Sequence, residues 1–365
     1  MILYIGLSVW IMVLAFLALL PDSMEIYQRW PARPKTSSAK FHYSIMNIMY
    51  LLACFVMWFL TAFRSANIGN DTKTYLYYFE IYSKRIDKSR TFEIGYQYFN
   101  YIIGKFTTNP HFFIIIITSI MYLGVGVYIF KYSKNPVMSL CLFFCYFFSV
   151  YTSIFRQGIA MIIVLYGYQF LKKKKKIIAV ILFLFATTFH TTAIISFFLF
   201  LNIKAFKKRK FVFGITFCCI VVSRIGILNQ LINVLVPRYS HYLDSRYAST
   251  GWLAVSYSLI VYTIWYILVN ISIEKDNVED NIISTNFALL LIFAAFGFSV
   301  NLFTRAGEYF LLIAITEIPN MLYREKVKYF REWLLSLCLL LLVMFLITLI
   351  LRPGWNHLYP YEFWR

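Results

Sequence analysis

Apolar residues along this chain gather in runs at about 1–20, 43–63, 112–130, 136–155, 157–171, 177–189, 191–203, 211–229, 252–273, 282–300, 306–322 and 333–351, with short polar gaps between them. Runs of this kind read as membrane segments, about twelve in all and several of them short. The expected fold class is therefore an all-α polytopic membrane protein, a single integral-membrane domain over residues 1–365. Residues 1–20 lack a basic leading region and Pro21-Asp22-Ser23 is a poor cleavage site, so the first run is expected to be a retained helix and not a signal peptide.

The polar gaps orient the runs. Placing 21–42, 131–135, 172–176, 204–210, 274–281 and 323–332 in the cytoplasm puts most of the 35 Lys and Arg there, as the positive-inside rule prefers, and leaves both termini outside. The gap at 274–281 fits least well, because Lys275 is outnumbered by Glu274, Asp276, Glu279 and Asp280, but acidic residues count little in this rule.

Two basic clusters, Lys172–Lys176 and Lys204 with Lys207–Lys210, bracket residues 177–203, whose only titratable side chain is His190. If both clusters are cytoplasmic, the segment enters the membrane, turns near His190 and returns as a short helical hairpin. Ile177 to Phe189, at about 1.5 Å per residue, reaches about 20 Å of a hydrocarbon core about 30 Å thick. The turn then sits within the depth of the membrane, where irregular backbone is tolerated only in protein or beside a wet cavity. Thr191 and Thr192 could cap the second arm, whose positive end suits an anion. The alternative is one tilted helix over 177–203 with a lysine cluster on each side.

Composition agrees with the pattern. The chain is 61% hydrophobic and 14% charged, with a mean hydropathy of +0.68, which excludes a soluble enzyme. A net charge of +19 would suggest nucleic acid in a soluble chain, but here the basic residues orient helices and no nucleic-acid partner is expected. Cys54, Cys141, Cys145, Cys218, Cys219 and Cys338 all lie in apolar stretches without a Cys-x-x-Cys, and read as small hydrophobes.

On the outer side this topology leaves a long segment at 64–111, a second at 230–251, and the tail from Arg352, all rich in aromatics. Tyr75, Tyr78, Phe79 and Tyr82 recur at helical spacing and predict an amphipathic helix lying on the bilayer or on the bundle. Arg156, Arg224, Arg305 and His190 all map to the outer half of the membrane. Each such residue costs about 2.5–3.5 kcal/mol on the insertion scale, so their convergence implies a polar cavity, while any one arginine alone could reach the head groups. Guanidinium groups present paired donors that suit phosphate.

Among the outer carboxylates, Asp71 in Gly69-Asn70-Asp71-Thr72 and Glu93 in Glu93-Ile94-Gly95-Tyr96 stand beside aromatics, as sugar binding favours, although either could be a solvated charge or a helix cap. The sequence has no P-loop, His-Glu-x-x-His, Gly-x-Ser-x-Gly, Asp-Asp or Asp-x-Asp. No cofactor or metal is expected.

At these residues the chain resembles the EpsG/Wzy-type family of bacterial polysaccharide (O-antigen) polymerases. The resemblance runs through Gly69-x-Asp71-Thr72-x-x-Tyr75, Glu93-x-Gly95-Tyr96, Arg156-Gln157-x-x-Ala160, Phe189-His190-x-Thr192-Ala193, Arg305-x-x-x-Tyr309 and Pro360-Tyr361-x-Phe363, from about residue 64 onward, with 1–60 similar only as apolar helices. It implies a multi-pass glycosyltransferase of the bacterial inner membrane, with its active site facing the periplasm. The enzyme would join undecaprenyl-diphosphate-linked repeat units into O-antigen or exopolysaccharide, without nucleotide sugar or metal. The implied partners are the lipid-linked glycan, membrane lipid, a chain-length regulator and a flippase.

In that scheme Arg156, Arg305 and Arg224 hold the donor diphosphate, and His190 or Asp71 takes a proton from the acceptor hydroxyl. Glu93, Tyr75, Gln157, Arg238, Arg246 and Tyr309 contact sugars, with Tyr239, Tyr242 and Tyr247 on the rim. Lys84, Arg85, Lys88 and Arg90 have no counterpart in the family pattern. Two rivals are a repeat-unit flippase, which needs symmetric halves and a cavity reachable from both sides, and a polysaccharide acyltransferase, which needs a cytoplasmic donor site.

Overall fold

The computed structural model describes residues 2–20, 37–87, 92–226, 230, 251–274, 277–324, 329–352, 354 and 357–364. In chain order its α-helices are α1 (Ile2–Ala18), α2 (Ser37–Ala62), α3 (Thr72–Tyr82), α4 (Ile94–Gly104), α5 (Pro110–Tyr132), α6 (Pro136–Phe147), α7 (Phe155–Lys172), α8 (Lys176–Phe189), α9 (Arg209–Ile225), α10 (Trp252–Ser272), α11 (Val278–Phe296), α12 (Asn301–Met321) and α13 (Phe330–Leu351). The described residues contain no strand beyond one isolated bridge, Arg64 with Phe363.

Each of the twelve apolar runs falls on a helix, but the count of about twelve crossings is not reproduced. Among the described residues, five helices are long and apolar enough to span a membrane: Tyr43–Ala62, Pro110–Tyr132, Trp252–Ser272, Val278–Phe296 and Arg331–Leu351. Ile2–Ala18, Pro136–Phe147, Lys176–Phe189 and Thr191–Leu201 are apolar but shorter. The run at 136–155 shows one cause. Its helix stops at Phe147, and the chain passes through a 3-10 turn at Val150–Thr152, where Thr152 Oγ1 donates to the Ser149 carbonyl at 2.6 Å. Ser and Thr offer the backbone such local alternatives to a helix.

The chain divides into two compact units. The first comprises Met1–Ile163, Phe185–Thr191 and Lys328–Arg365, and the second Val164–Leu184 and Thr192–Val327.

In the first unit α1 packs on α6 and α13, α2 on α5 and α6, and α3 on α4 and α5. Helices α5 and α6 both start at Asn-Pro: Asn109 Oδ1 accepts from the His111 and Phe112 amides, and Asn135 Oδ1 from Met138. Proline at the first helical position loses no bond there. The aromatic face of α3 turns onto protein and not onto lipid, since Phe79 stacks on Phe113 of α5 at 4.2 Å and Tyr75 on Phe155 at 4.9 Å.

The C-terminal tail straps this unit. Tyr4 Oη donates to the Leu358 carbonyl at 2.7 Å, and Tyr361 Oη donates to that of Leu60 at 2.9 Å. The Ser65 amide donates to Glu362 O, the Trp364 amide donates to Phe63 O, and the Trp364 ring lies flat on His111. The Pro360-Tyr361-x-Phe363 motif is thus structural.

In the second unit α11 is central, with α9, α10 and α12 packed on it and every residue from Asp280 to Leu291 buried. Its second half, Phe287 to Phe296, is apolar all round, as suits a central helix, while the buried polar residues Asp280, Asn281, Ser284, Thr285 and Asn286 lie in its first half. One end carries ion pairs: Lys172 Nζ is 2.8 Å from Glu317 and 2.9 Å from Glu279, Tyr168 Oη donates to Glu317, and Arg324 meets Asp280 at 2.7 Å. Glu279 and Asp280, which outnumbered the basic charge at 274–281, are the partners of these cations. Lys172 is consequently a part-buried, paired ion, while Lys173–Lys176 are exposed as an orienting bracket should be.

After α8 the chain turns at His190 and continues as a 3-10 helix, Thr191–Leu201. Phe183 lies 5.6 Å from both Phe197 and Phe200, so the second arm folds back on the first and the single tilted helix is excluded. The hairpin was expected, but an arm of this length in 3-10 geometry is uncommon.

Candidate active site at Glu93, Arg156 and His190

The site assembles in the first unit around one carboxylate. Glu93 precedes α4 in extended conformation, and its side chain reaches two other elements. Its Oε2 pairs with Nη1 of Arg156, the second residue of α7. Its Oε1 lies 3.3 Å from His190 Nδ1 and accepts from the Thr191 amide at 3.1 Å and the Thr191 hydroxyl at 3.2 Å. The free amide at the start of the second hairpin arm is therefore satisfied by Glu93, and not by a threonine side chain. The anion expected at that positive helix end is the protein's own.

Local sequence explains the approach. A Cβ on Gly95 would stand 2.3 Å from Thr188 Oγ1 and 2.8 Å from the Thr188 carbonyl, so only glycine lets the start of α4 sit against the end of α8. Tyr96 is fully buried and touches Tyr75, Phe92 and Phe99. The Glu93-x-Gly95-Tyr96 motif is a carboxylate, a close approach and an anchor.

The Gly69-x-Asp71-Thr72 motif does comparable work for Arg156. Gly69 has φ of +88°, and a Cβ there would meet the Thr152 carbonyl at 2.3 Å. Thr72 Oγ1 donates to Ile68 O at 2.6 Å and the Asn70 amide to Ser153 Oγ at 2.9 Å, docking the motif on the turn before α7. This brings Tyr75 beside Arg156, whose guanidinium lies 4.0 Å above the Phe92 ring.

Burial alone would raise the pKa of Glu93, but His190, Arg156 and the Thr191 amide outweigh it and hold the carboxyl well below its usual range. Glu93 is therefore ionised at neutral pH and is a poor base. The cluster is still reachable, since the Arg156, Glu93 and His190 side chains are 20%, 17% and 19% exposed.

Of the other expected site residues, Asp71 adjoins Tyr75 and does not cap α3 through its side chain. Gln157 is buried behind Arg156. Arg224, Arg305 and Tyr309 belong to the second unit: Arg224 lies 4.9 Å above the Phe298 ring, Arg305 is exposed, and Tyr309 is buried with Oη 3.4 Å from Thr192 Oγ1. Arg238 and Arg246, like most of 230–251, and Lys88 and Arg90 lie outside the described residues.

Sequence reasoning missed two residues and gave a third another task. Phe92 carries no distinguishing signal beyond its neighbour Glu93, and Thr191, expected as a cap, instead donates to the Glu93 carboxylate. Arg64 was legible only as a charge at the end of an apolar run. It is fully buried, donates to the carbonyls of Thr61, Ile68 and Thr152, and lies 5.3 Å from the ring of Phe155, the neighbour of Arg156.

The family model described as the EpsG family matches residues 47–363. The chain belongs to the EpsG family. The match begins within α2, earlier than the motifs alone suggested, and takes in every element of the Glu93 cluster. No curated protein and no solved structure matches the chain. EpsG membership with the apolar helices makes this a membrane protein and points to polymerisation in polysaccharide biosynthesis.

Proposed function

We propose that this EpsG-family protein polymerises undecaprenyl-diphosphate-linked oligosaccharide repeat units at the outer leaflet of the bacterial inner membrane, from a site facing the periplasm. The observation that carries this reading is one ionised carboxylate, Glu93, holding an arginine and a histidine side by side in a partly exposed cluster.

Each residue has a task. Glu93 faces Nδ1 of His190 and so leaves Nε2 as the proton acceptor. Nε2 takes the proton of the acceptor sugar hydroxyl as that oxygen forms the new bond to the donor's anomeric carbon. The bond from that carbon to the diphosphate oxygen breaks, and the lipid diphosphate leaves with the electron pair. Arg156, fixed by Glu93, Tyr75 and Phe92, stabilises the charge growing on the diphosphate. Asp71 is the weaker candidate for the base, because it meets the cluster through Tyr75.

The test is made in cells that depend on this protein for their surface glycan. Arg156→Ala and His190→Ala should each leave the protein inserted in the membrane while the glycan falls from a ladder to a single repeat unit. Ladders of wild-type length in both variants would remove these residues from the reaction.

A further inference from the structure

Helix α9 presents a face that the reaction does not use. Val212, Thr216, Cys219 and Ser223 form its buried stripe, and Ser223 Oγ reaches the Ala295 carbonyl of α11 at 3.2 Å. Cys219 of that stripe also lines a groove of about 520 Å³, whose other walls are Lys210, Phe211, Gly214, Ile215, Cys218 and Val222 with Phe296 of α11. Lys210, Gly214 and Cys218 succeed one another a turn apart and are all exposed. The groove is apolar along its length and cationic at one end, where Lys208 and Arg209 adjoin Lys210.

We infer that this groove holds one acyl chain of an anionic phospholipid, with the head group on Lys208–Lys210. Three observations favour that occupant. The volume lies within the ~300–1,000 Å³ usual for small-ligand sites. From Lys210 to Val222 the helix rises about 18 Å, close to one leaflet of a core about 30 Å thick, which suits a phospholipid tail and is too short for a long polyprenyl chain. The three consecutive cations match a negative head group, to which basic residues beside a membrane helix are attracted.

Gly214 makes the floor of the groove. A Cβ built there meets nothing within 4 Å, so a larger side chain fills the groove without disturbing the packed stripe. Leucine also favours the helix over glycine, which separates loss of the site from loss of the fold.

Native mass spectrometry of the purified protein, titrated with phosphatidylglycerol or with phosphatidylcholine of the same chains, tests the inference. The wild type should retain one phosphatidylglycerol and shed phosphatidylcholine. Gly214→Leu and Lys210→Glu should each weaken that retention at least ten-fold, while Val221→Leu, an exposed position outside the groove lining, should not. Equal retention of the two lipids, or undiminished retention in both groove variants, would show ordinary boundary lipid and overturn the inference.

Discussion

Nδ1 of His190 and Oε1 of Glu93 stand 3.3 Å apart although 96 residues separate them in sequence, and the same carboxylate holds Arg156 through its other oxygen. The base and the anion-binding group of the proposed reaction are thus set by one side chain. In the proposed reaction Glu93 acts through its neighbours, as a positioning residue.

Replacing Glu93 should therefore cost stability as well as activity. A carboxyl held below its unfolded value of about 4.3 contributes stability that is fully present above that pH and is lost as pH falls through the lower native value. Glu93→Gln should destabilise the purified protein by about 1–3 kcal/mol at pH 7. Melting curves between pH 7 and pH 3 should show the gap to wild type holding down to about pH 4 and closing only below it. Equal melting temperatures at pH 7 would deny the ion pair its role.

Gly95 is predicted to be intolerant of even one carbon. Gly95→Ala drives its methyl against the side chain and carbonyl of Thr188, and overpacking of this kind costs about 1–3 kcal/mol. Glycan chains should shorten in this variant while the membrane level of the protein stays near normal. Gly6→Ala, where the added carbon meets nothing, should behave as wild type.

Much of this was legible in the sequence because it is periodic or charged. The apolar runs located the five described helices long enough to span a membrane, and the two basic clusters located the hairpin and its turn at His190. Contacts that depend on long-range closure were not legible. Nothing in the spacing of Glu93, Arg156 and Thr191 brings them to one carboxylate, and a buried arginine such as Arg64, satisfied by carbonyl oxygens, looks in sequence like any loop charge. Lys172 differs from the rest of the lysine bracket in a way its sequence neighbours do not show, because it is paired with Glu317 and Glu279, which lie more than a hundred residues away.

The five lysines should accordingly differ in mutation. Lys172→Ala leaves Glu317, only 2% exposed, without its cation, and removing one partner of a buried pair costs about 3–5 kcal/mol. Single alanine substitutions at Lys173, Lys174 and Lys175 should stay within about 0.5 kcal/mol. Thermal unfolding of the purified variants separates the two groups, and Lys172→Met with Glu317→Gln should recover most of the loss. A Lys172→Ala variant as stable as the other three would place that lysine in the solvated bracket.

Truncation before Leu358 should loosen the first unit. It removes the acceptor of Tyr4, the donor to Leu60, the pairing with Phe63 and Ser65, and the ring stacked on His111. Limited proteolysis should then cut in the segment 63–71, which should resist cleavage in the full chain. An unchanged digestion pattern would show that the strap is dispensable.

The most direct measurement is elongation by the purified protein supplied only with undecaprenyl-diphosphate-linked repeat units. Wild-type protein should produce a ladder of glycans with release of lipid diphosphate, and His190→Ala should yield the unextended unit under the same conditions. Transport of those units across a liposome membrane without any elongation, or a full ladder from His190→Ala, would contradict a polymerase built on Glu93, Arg156 and His190.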